Sequence, residues 1–143
     1  MLLKRSLDIM LALILILILI FPMLIISILI KLDTAGPFLF FSKRIGKNNK
    51  VFLMPKFRTM SKETPQLATL LLKNSEQYIT TFGRFLRKTS LDELPQILSI
   101  LKGDMTFVGP RPALFNQNDL ILSRSKSNIH KLVPGLTGWA QIN

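Results

Sequence analysis

A chain of 143 residues has room for one domain, with a modest core if part of its length is given to a membrane. Nineteen Lys and Arg against eight Asp and Glu leave a net charge of +11, which calls for an anionic partner: lipid headgroups, a phosphorylated substrate or nucleic acid. Zero cysteines exclude disulfides and thiolate metal sites, and the single histidine, His130, argues against His-based metal or triad chemistry and reads as an ordinary surface or interface residue.

From Ile9 to Ile30 the chain is apolar over about 22 residues, broken only by Pro22 and Ser27, which is long enough to span a bilayer. Lys31-Leu32-Asp33 follows, where a cleaved signal peptide would have small residues, so the segment is a permanent membrane element. Basic residues flank both ends: Lys4 and Arg5 before it, Lys31, Lys43, Arg44, Lys47 and Lys50 after it. On the residues alone, a straight spanning helix with a proline kink is the simpler reading; the other is a helix bent at Pro22 that returns to the side it entered.

Thr34 to Pro37 is a turn, Phe38 to Lys43 a strand, Gly46 to Lys50 a loop and Val51 to Met60 a second strand, together a hairpin at the membrane surface. Phe38, Phe40, Phe41 and Phe52 either dip into the interface or pack in a core. Alternation puts Lys56 and Arg58 on one strand face, where two cations could grip a diphosphate, although a solvated face would look the same. Pro55 suggests an edge strand or a bulge. After a polar connector, Leu67, Leu70 and Leu71 give a short helical stripe closed by Lys73 to Glu76. Ile79, Phe82, Phe85 and Leu86 then predict a helix, capped by Thr80 or Thr81, that delivers Arg84 and Arg87 toward Asp92.

Ser90-Leu91-Asp92-Glu93 has the form of a capping box, and acids favour a first helical turn for dipole reasons alone. Pro95 is tolerated only in that first turn, so the helix starts near Ser90 to Glu93; Ile97, Leu98, Ile100 and Leu101 supply its buried face and Gly103 stops it. A carboxylate at the positive end of a helix stays ionised at neutral pH, which suits a nucleophile on phosphorus or a Mg²⁺ ligand better than a general acid. Met105 to Val108 reads as a short strand, and Pro110 and Pro112 fix the backbone around Arg111, cutting the entropy cost of aiming it at a phosphate. A polar helix over Leu114 to Asn128, with Leu120, Ile121 and Leu122 partly buried, precedes a loop over Leu132 to Gly138. Trp139 could stack on a base or anchor at the interface, and no P-loop or dinucleotide fingerprint occurs.

Four segments in order carry a resemblance: Arg-Lys-Thr-Ser-Leu-Asp-Glu-Leu-Pro-Gln at 87 to 96, Lys-Gly-Asp-Met at 102 to 105, Gly-Pro-Arg-Pro at 109 to 112 and Pro-Gly-Leu-Thr-Gly at 134 to 138. With Lys-Phe-Arg-Thr-Met at 56 to 60, they resemble the bacterial sugar transferase family, monotopic phosphoglycosyl transferases also called polyprenol-phosphate hexose-1-phosphate transferases. The resemblance implies a small, mostly helical α+β membrane domain with an N-terminal re-entrant helix and a β-hairpin. It divides the chain into an anchor over 1–33, re-entering at Pro22, and a cytoplasmic catalytic domain over 34–143. Relatives often place Ser before the breaking proline and an aromatic or aliphatic residue at position 55; here Phe21 and Pro55 stand there.

The activity so implied moves a sugar-1-phosphate from a UDP-sugar to polyprenyl (undecaprenyl) phosphate and releases UMP, the first membrane step of surface glycan assembly. Asp92 is then the nucleophile, Glu93 its support, both are Mg²⁺ ligands, and Arg87, Arg111, Lys56 and Arg58 contact phosphate. UDP-sugar, polyprenyl phosphate and membrane lipids are the implied partners, with a homodimer allowed and nucleic acid not among them, at the cytoplasmic face of the bacterial inner membrane. Relatives continue past the position of Asn143 with Gly-Arg-Asn and a further segment, so a C-terminally truncated domain is expected. The rival class is a non-catalytic, basic, membrane-anchored protein that binds anionic lipid or nucleic acid, and it leaves Asp92-Glu93 amid cations unexplained.

Overall fold

The computed structural model describes residues 2–61, 64 and 75–138, which form a mostly helical α+β chain, as expected. The stripe at Leu67, Leu70 and Leu71, its end at Lys73 and Asn74, and Trp139 lie outside the described residues. Helix α1 runs from Leu2 to Asp33 without interruption. The break expected at Pro22 is therefore not a break in the helix: its ring forfeits the amide bond to the Ile18 carbonyl, but the turns on either side remain helical. Leu17 is 79 % and Phe21 74 % exposed, so protein does not cover this apolar surface. By length and apolarity the helix can cross a membrane.

The chain forms two compact units: Met1–Ile18, Phe41–Pro55 and Pro95–Asn143 make the first, Leu19–Phe40 and Lys56–Leu94 the second. Each unit holds one end of α1, which explains why compactness does not follow chain order.

In the first unit, strand β1 (Leu39–Ile45, from Phe41 onward) lies between β2 (Val51–Phe57) and β4 (Ala113–Leu114). The β1–β4 pair is antiparallel, with Arg44 opposite Leu114 and Ile45 opposite Ala113. Since β2 is an edge strand, Pro55 costs no ladder bond on its open side, as its sequence suggested. Helix α3 (Ile97–Lys102) ends at Gly103, whose φ of 98° only glycine adopts freely. Ile97 and Ile100 are buried, whereas Leu98, expected on the buried face, is exposed and Ser99 is buried in its stead. Strand β3 (Thr106–Val108) pairs in parallel with β5 (Gly135–Thr137). The latter corrects the loop expected over Leu132 to Gly138; three residues bounded by glycine carry no alternation, and the partner that makes them a strand is distant in sequence. Helix α4 (Asn118–Lys126) is shorter than expected, and Leu120 and Leu122 are exposed, leaving only Ile121 of the three partly buried.

Three polar side chains fasten the start of α1 to this unit. Lys4 Nζ donates to the Val108 carbonyl at 2.8 Å, and Arg5 donates to the Ile100 and Leu101 carbonyls in the last turn of α3, the first of which also accepts the Gly103 amide. Asp8, buried at the edge of the apolar run, accepts from the Thr106 hydroxyl at 2.6 Å and the Phe107 amide at 3.3 Å.

The second unit has a core of Ile26 and Ile30 from α1, Phe57, and Leu86 from α2 (Thr81–Lys88), with Met23, Phe38, Leu39, Phe82, Leu91 and Leu94 against it. Phe38 thus packs in the core, while Phe40 and Phe41 are exposed. Helix α2 begins as its sequence predicts: the Thr80 hydroxyl accepts from the Gly83 amide at 2.9 Å.

Candidate active site

Strand β2 ends at Phe57, not at Met60 as the sequence suggested, and this separates Lys56 from Arg58. Phe57 points into the core, Lys56 reaches Glu93, and Arg58 follows the strand with 9 % exposure. Its guanidinium donates to the Thr34 and Ala35 carbonyls and to the Thr34 hydroxyl. The single face carrying two cations is corrected accordingly: Arg58 braces the turn after α1, and Lys56 alone of the pair meets the acids.

The acids sit in a tight 3₁₀ turn, Leu91–Gln96, that runs directly into α3. Ser90 has a left-handed φ of 57° instead of the extended backbone of an N-cap, and the Glu93 amide donates to the Ser90 carbonyl at 3.2 Å. The capping reading of Ser-x-x-Glu therefore does not describe this turn. Glu93 Oε1 accepts from Lys56 Nζ at 2.6 Å, and both side chains are mostly shielded, at 22 % and 17 % exposure. A pair so placed gains more than a surface ion pair and costs more to break, because the survivor stays partly desolvated.

Asp92 has the perturbed acidity of the site. Burial pushes its carboxyl above the ordinary value of 3.8; Lys56 opposes that most strongly, Glu93 adds to it, and Arg87 and the residue's own backbone amide pull it back. A partly buried acid flanked by two cations and a second acid suits chemistry at phosphorus, since the cations work against the effect of burial and also attract phosphate.

Arg87 reaches the site from the last turn of α2, where its Nε donates to the Thr59 hydroxyl at 2.8 Å. Thr59 is buried and its backbone lies against Gly83: a Cβ on Gly83 would fall 2.2 Å from the Thr59 carbonyl oxygen. The sequence reading missed Thr59, although its place between Arg58 and Met60 was visible. The structure thus brings Lys56, Arg87, Asp92 and Glu93 into one unit. Arg111 belongs to the other, exposed on a segment described below. Asp8 was also missed; an acid bordering an apolar run is costly unless paired, and that cost was the available signal.

Among the described residues, no three His, Asp or Glu side chains form a ready cation cage. Two adjacent carboxylates, one already held by Lys56, are oxygen donors of the kind a hard cation such as Mg²⁺ would take.

A family model described as bacterial sugar transferase matches residues 1–143. The chain is 44 % identical over 146 residues to a UDP-glucose:undecaprenyl-phosphate glucose-1-phosphate transferase of Escherichia coli (strain K12), a match covering 99 % of this chain and 31 % of that protein. It is 37 % identical to a UDP-N-acetylgalactosamine-undecaprenyl-phosphate N-acetylgalactosaminephosphotransferase of Aeromonas hydrophila (97 % of this chain, 33 % of that one). To an undecaprenyl-phosphate glucose phosphotransferase of Komagataeibacter xylinus it is 38 % identical, with coverages of 98 % and 27 %. The chain spans about a third or less of the length of these relatives.

Proposed function

The chain belongs to the bacterial sugar transferase family, and from that premise we propose that it transfers a sugar-1-phosphate from a UDP-sugar to polyprenyl phosphate, releasing UMP. The observation that carries the reading is the partly buried Asp92, held between Lys56, Arg87 and Glu93. A protein that merely bound anionic lipid would gain nothing from placing two acids where its cations converge.

In the first half-reaction an Asp92 carboxylate oxygen bonds to the phosphorus that carries the sugar. The P–O bond to the uridylyl side breaks, and its electron pair leaves on UMP. In the second half, an oxygen of polyprenyl phosphate attacks the same phosphorus, the bond to Asp92 breaks, and the carboxylate returns as polyprenyl-diphosphate-sugar departs. Lys56 and Arg87 oppose the rise that burial gives the Asp92 pKa and, like Arg111, contact the phosphates; Lys56 also fixes Glu93. Arg58 braces the turn after α1 through Thr34 and Ala35. Asp92 and Glu93 are the residues to hold Mg²⁺, which when bound neutralises diphosphate charge.

This family is membrane-associated, and the finer placement proposed here is the cytoplasmic face of the bacterial inner membrane, with lipid covering the exposed apolar surface of α1. The test is incubation of the membrane-embedded protein with Mg²⁺ and UDP-sugars, beginning with the UDP-glucose and UDP-N-acetylgalactosamine of the relatives' names. UMP should appear in stoichiometric amount without lipid acceptor, with a sugar-phosphate adduct on the peptide containing Asp92; Asp92→Asn should lose both. UMP that appears only with polyprenyl phosphate, with no adduct at any time, would replace the covalent route by direct transfer.

A further inference from the structure

Pro110-Arg111-Pro112 lies between β3 and β4, outside any ladder, and its two prolines have no amide to donate. Its three carbonyls are nevertheless each taken by a separate donor. The Gly135 amide reaches the Pro110 carbonyl at 2.9 Å, Arg124 Nη1 the Arg111 carbonyl at 2.6 Å, and Arg44 Nη1 the Pro112 carbonyl at 3.3 Å. The segment is closed on both sides as well: the Gly109 amide donates to the Thr137 carbonyl at 3.0 Å, and the Leu114 amide to the Gln117 side chain at 2.9 Å. Gly109 and Gly135 touch so closely that a Cβ on Gly135 would fall 2.1 Å from the Gly109 nitrogen, so the backbone there has no room to shift.

Arg124 and Arg44 act on this segment from two different elements, α4 and β1. Arg124 is partly buried, lines one small cavity together with Pro110, Ala113, Ile121 and His130, and burial lowers its pKa from the ordinary arginine value. Arg44 is steadied by its own Nε bond to the Ser42 hydroxyl at 3.1 Å, and Ser42 is buried. Neither arginine is spent on a carboxylate in these bonds; each gives a charged N–H to a main-chain carbonyl, a stronger bond than a neutral donor makes.

We propose that Arg124, with Arg44, is a positioning residue: it fixes the backbone carbonyl of Arg111 and thereby aims the Arg111 side chain at a phosphate of the nucleotide-sugar donor. This rests on the transferase reading. The prolines restrict φ on either side of Arg111, but the peptide planes can still turn about ψ, and the carbonyl bonds are what stop that rotation. An arginine aimed in advance binds phosphate without losing backbone entropy on each turnover.

The test uses the membrane-reconstituted protein, with initial rates over a range of UDP-sugar and a thermal unfolding curve for every variant. Arg124→Gln should lower kcat/KM for the UDP-sugar about tenfold, with a raised KM, while Arg124→Lys, which keeps one charged donor for the carbonyl, should recover most of it. The deciding comparison is the double variant. Since Arg124 acts through Arg111, Arg124→Gln should add nothing once Arg111→Gln is present. An independent, multiplicative loss in the Arg111→Gln background, or full activity in Arg124→Gln, overturns the proposal. Should Arg124→Gln unfold, Arg44→Gln, which removes the donor to the Pro112 carbonyl, is put through the same cycle with Arg111→Gln and gives the same decision. A wild-type protein without UMP release refutes the transferase reading instead, which separates the two failures.

Discussion

Asp92 concentrates what the site does in one titration. Burial raises its pKa above 3.8, so between that value and the folded one the native chain binds more protons than the unfolded chain, and stability falls as pH rises through the interval. The penalty is fully present above the folded pKa, where the nucleophile is also active, so function is maintained at a cost in stability. Lys56 is the largest influence that lowers the pKa. Lys56→Met should therefore move the acid limb of the kcat/KM profile to higher pH, and Glu93→Gln, which removes a like charge, should move it lower. A limb that stays in place in Lys56→Met would show that Lys56 does not govern Asp92. Asp92→Asn has no limb to move, because it removes the nucleophile, and measured turnover should be absent.

Elements set where these residues stand, and α2 does so through one contact. Gly83 in its first turn lies against the main chain of Thr59, whose hydroxyl holds Arg87 Nε. Gly83→Ala puts a methyl group into a carbonyl that belongs to the backbone and cannot swing aside, so it should destabilise by about 1–3 kcal/mol by overpacking. Thermal unfolding would show the loss, and activity should fall with it, since displacing α2 carries Arg87 away; a variant as stable and as active as wild type would refute this contact. Such placements also mark the limit of legibility. The alternation through Phe57, the cap at Thr80, the stop at Gly103 and the position of the acids were readable, because each depends on neighbours in sequence. Strand β5, the bracing task of Arg58 and the carbonyl bonds of Arg44 and Arg124 were not, because each is made with a partner more than a dozen residues away. The capping box misled for a related reason: Ser-x-x-Glu is locally sufficient for a cap, but Lys56, distant in sequence, claims the glutamate.

At the scale of the whole molecule the remaining choice is between a helix that crosses the membrane and one that returns. Lys4, Arg5 and Asp8 are bonded to Val108, Ile100, Leu101, Thr106 and Phe107, and at the other end Ile26 and Ile30 are packed with Phe57 and Leu86. Were α1 to cross, its two ends would lie in opposite compartments, and the polar chain from 34 onward would have to be present in both. The reading proposed above keeps both ends on one side, which the basic flanks also favour, with lipid over the exposed apolar surface of α1. Single cysteines at Leu3 and Lys50, both exposed, should then react with an impermeant reagent from the same face of sealed vesicles. Pro22 has no amide for the Ile18 carbonyl, so Pro22→Leu restores a continuous bond ladder through the middle of the apolar run and should shift part of the population toward crossing. In that population Leu3 and Lys50 would label from opposite faces and the Asp8 bonds to Thr106 and Phe107 would be lost, so UMP release should fall in step with the fraction that crosses. Opposite-face labelling in the unaltered chain would show instead that the native helix spans, and that the polar contacts at its start do not hold it on the side of the active site.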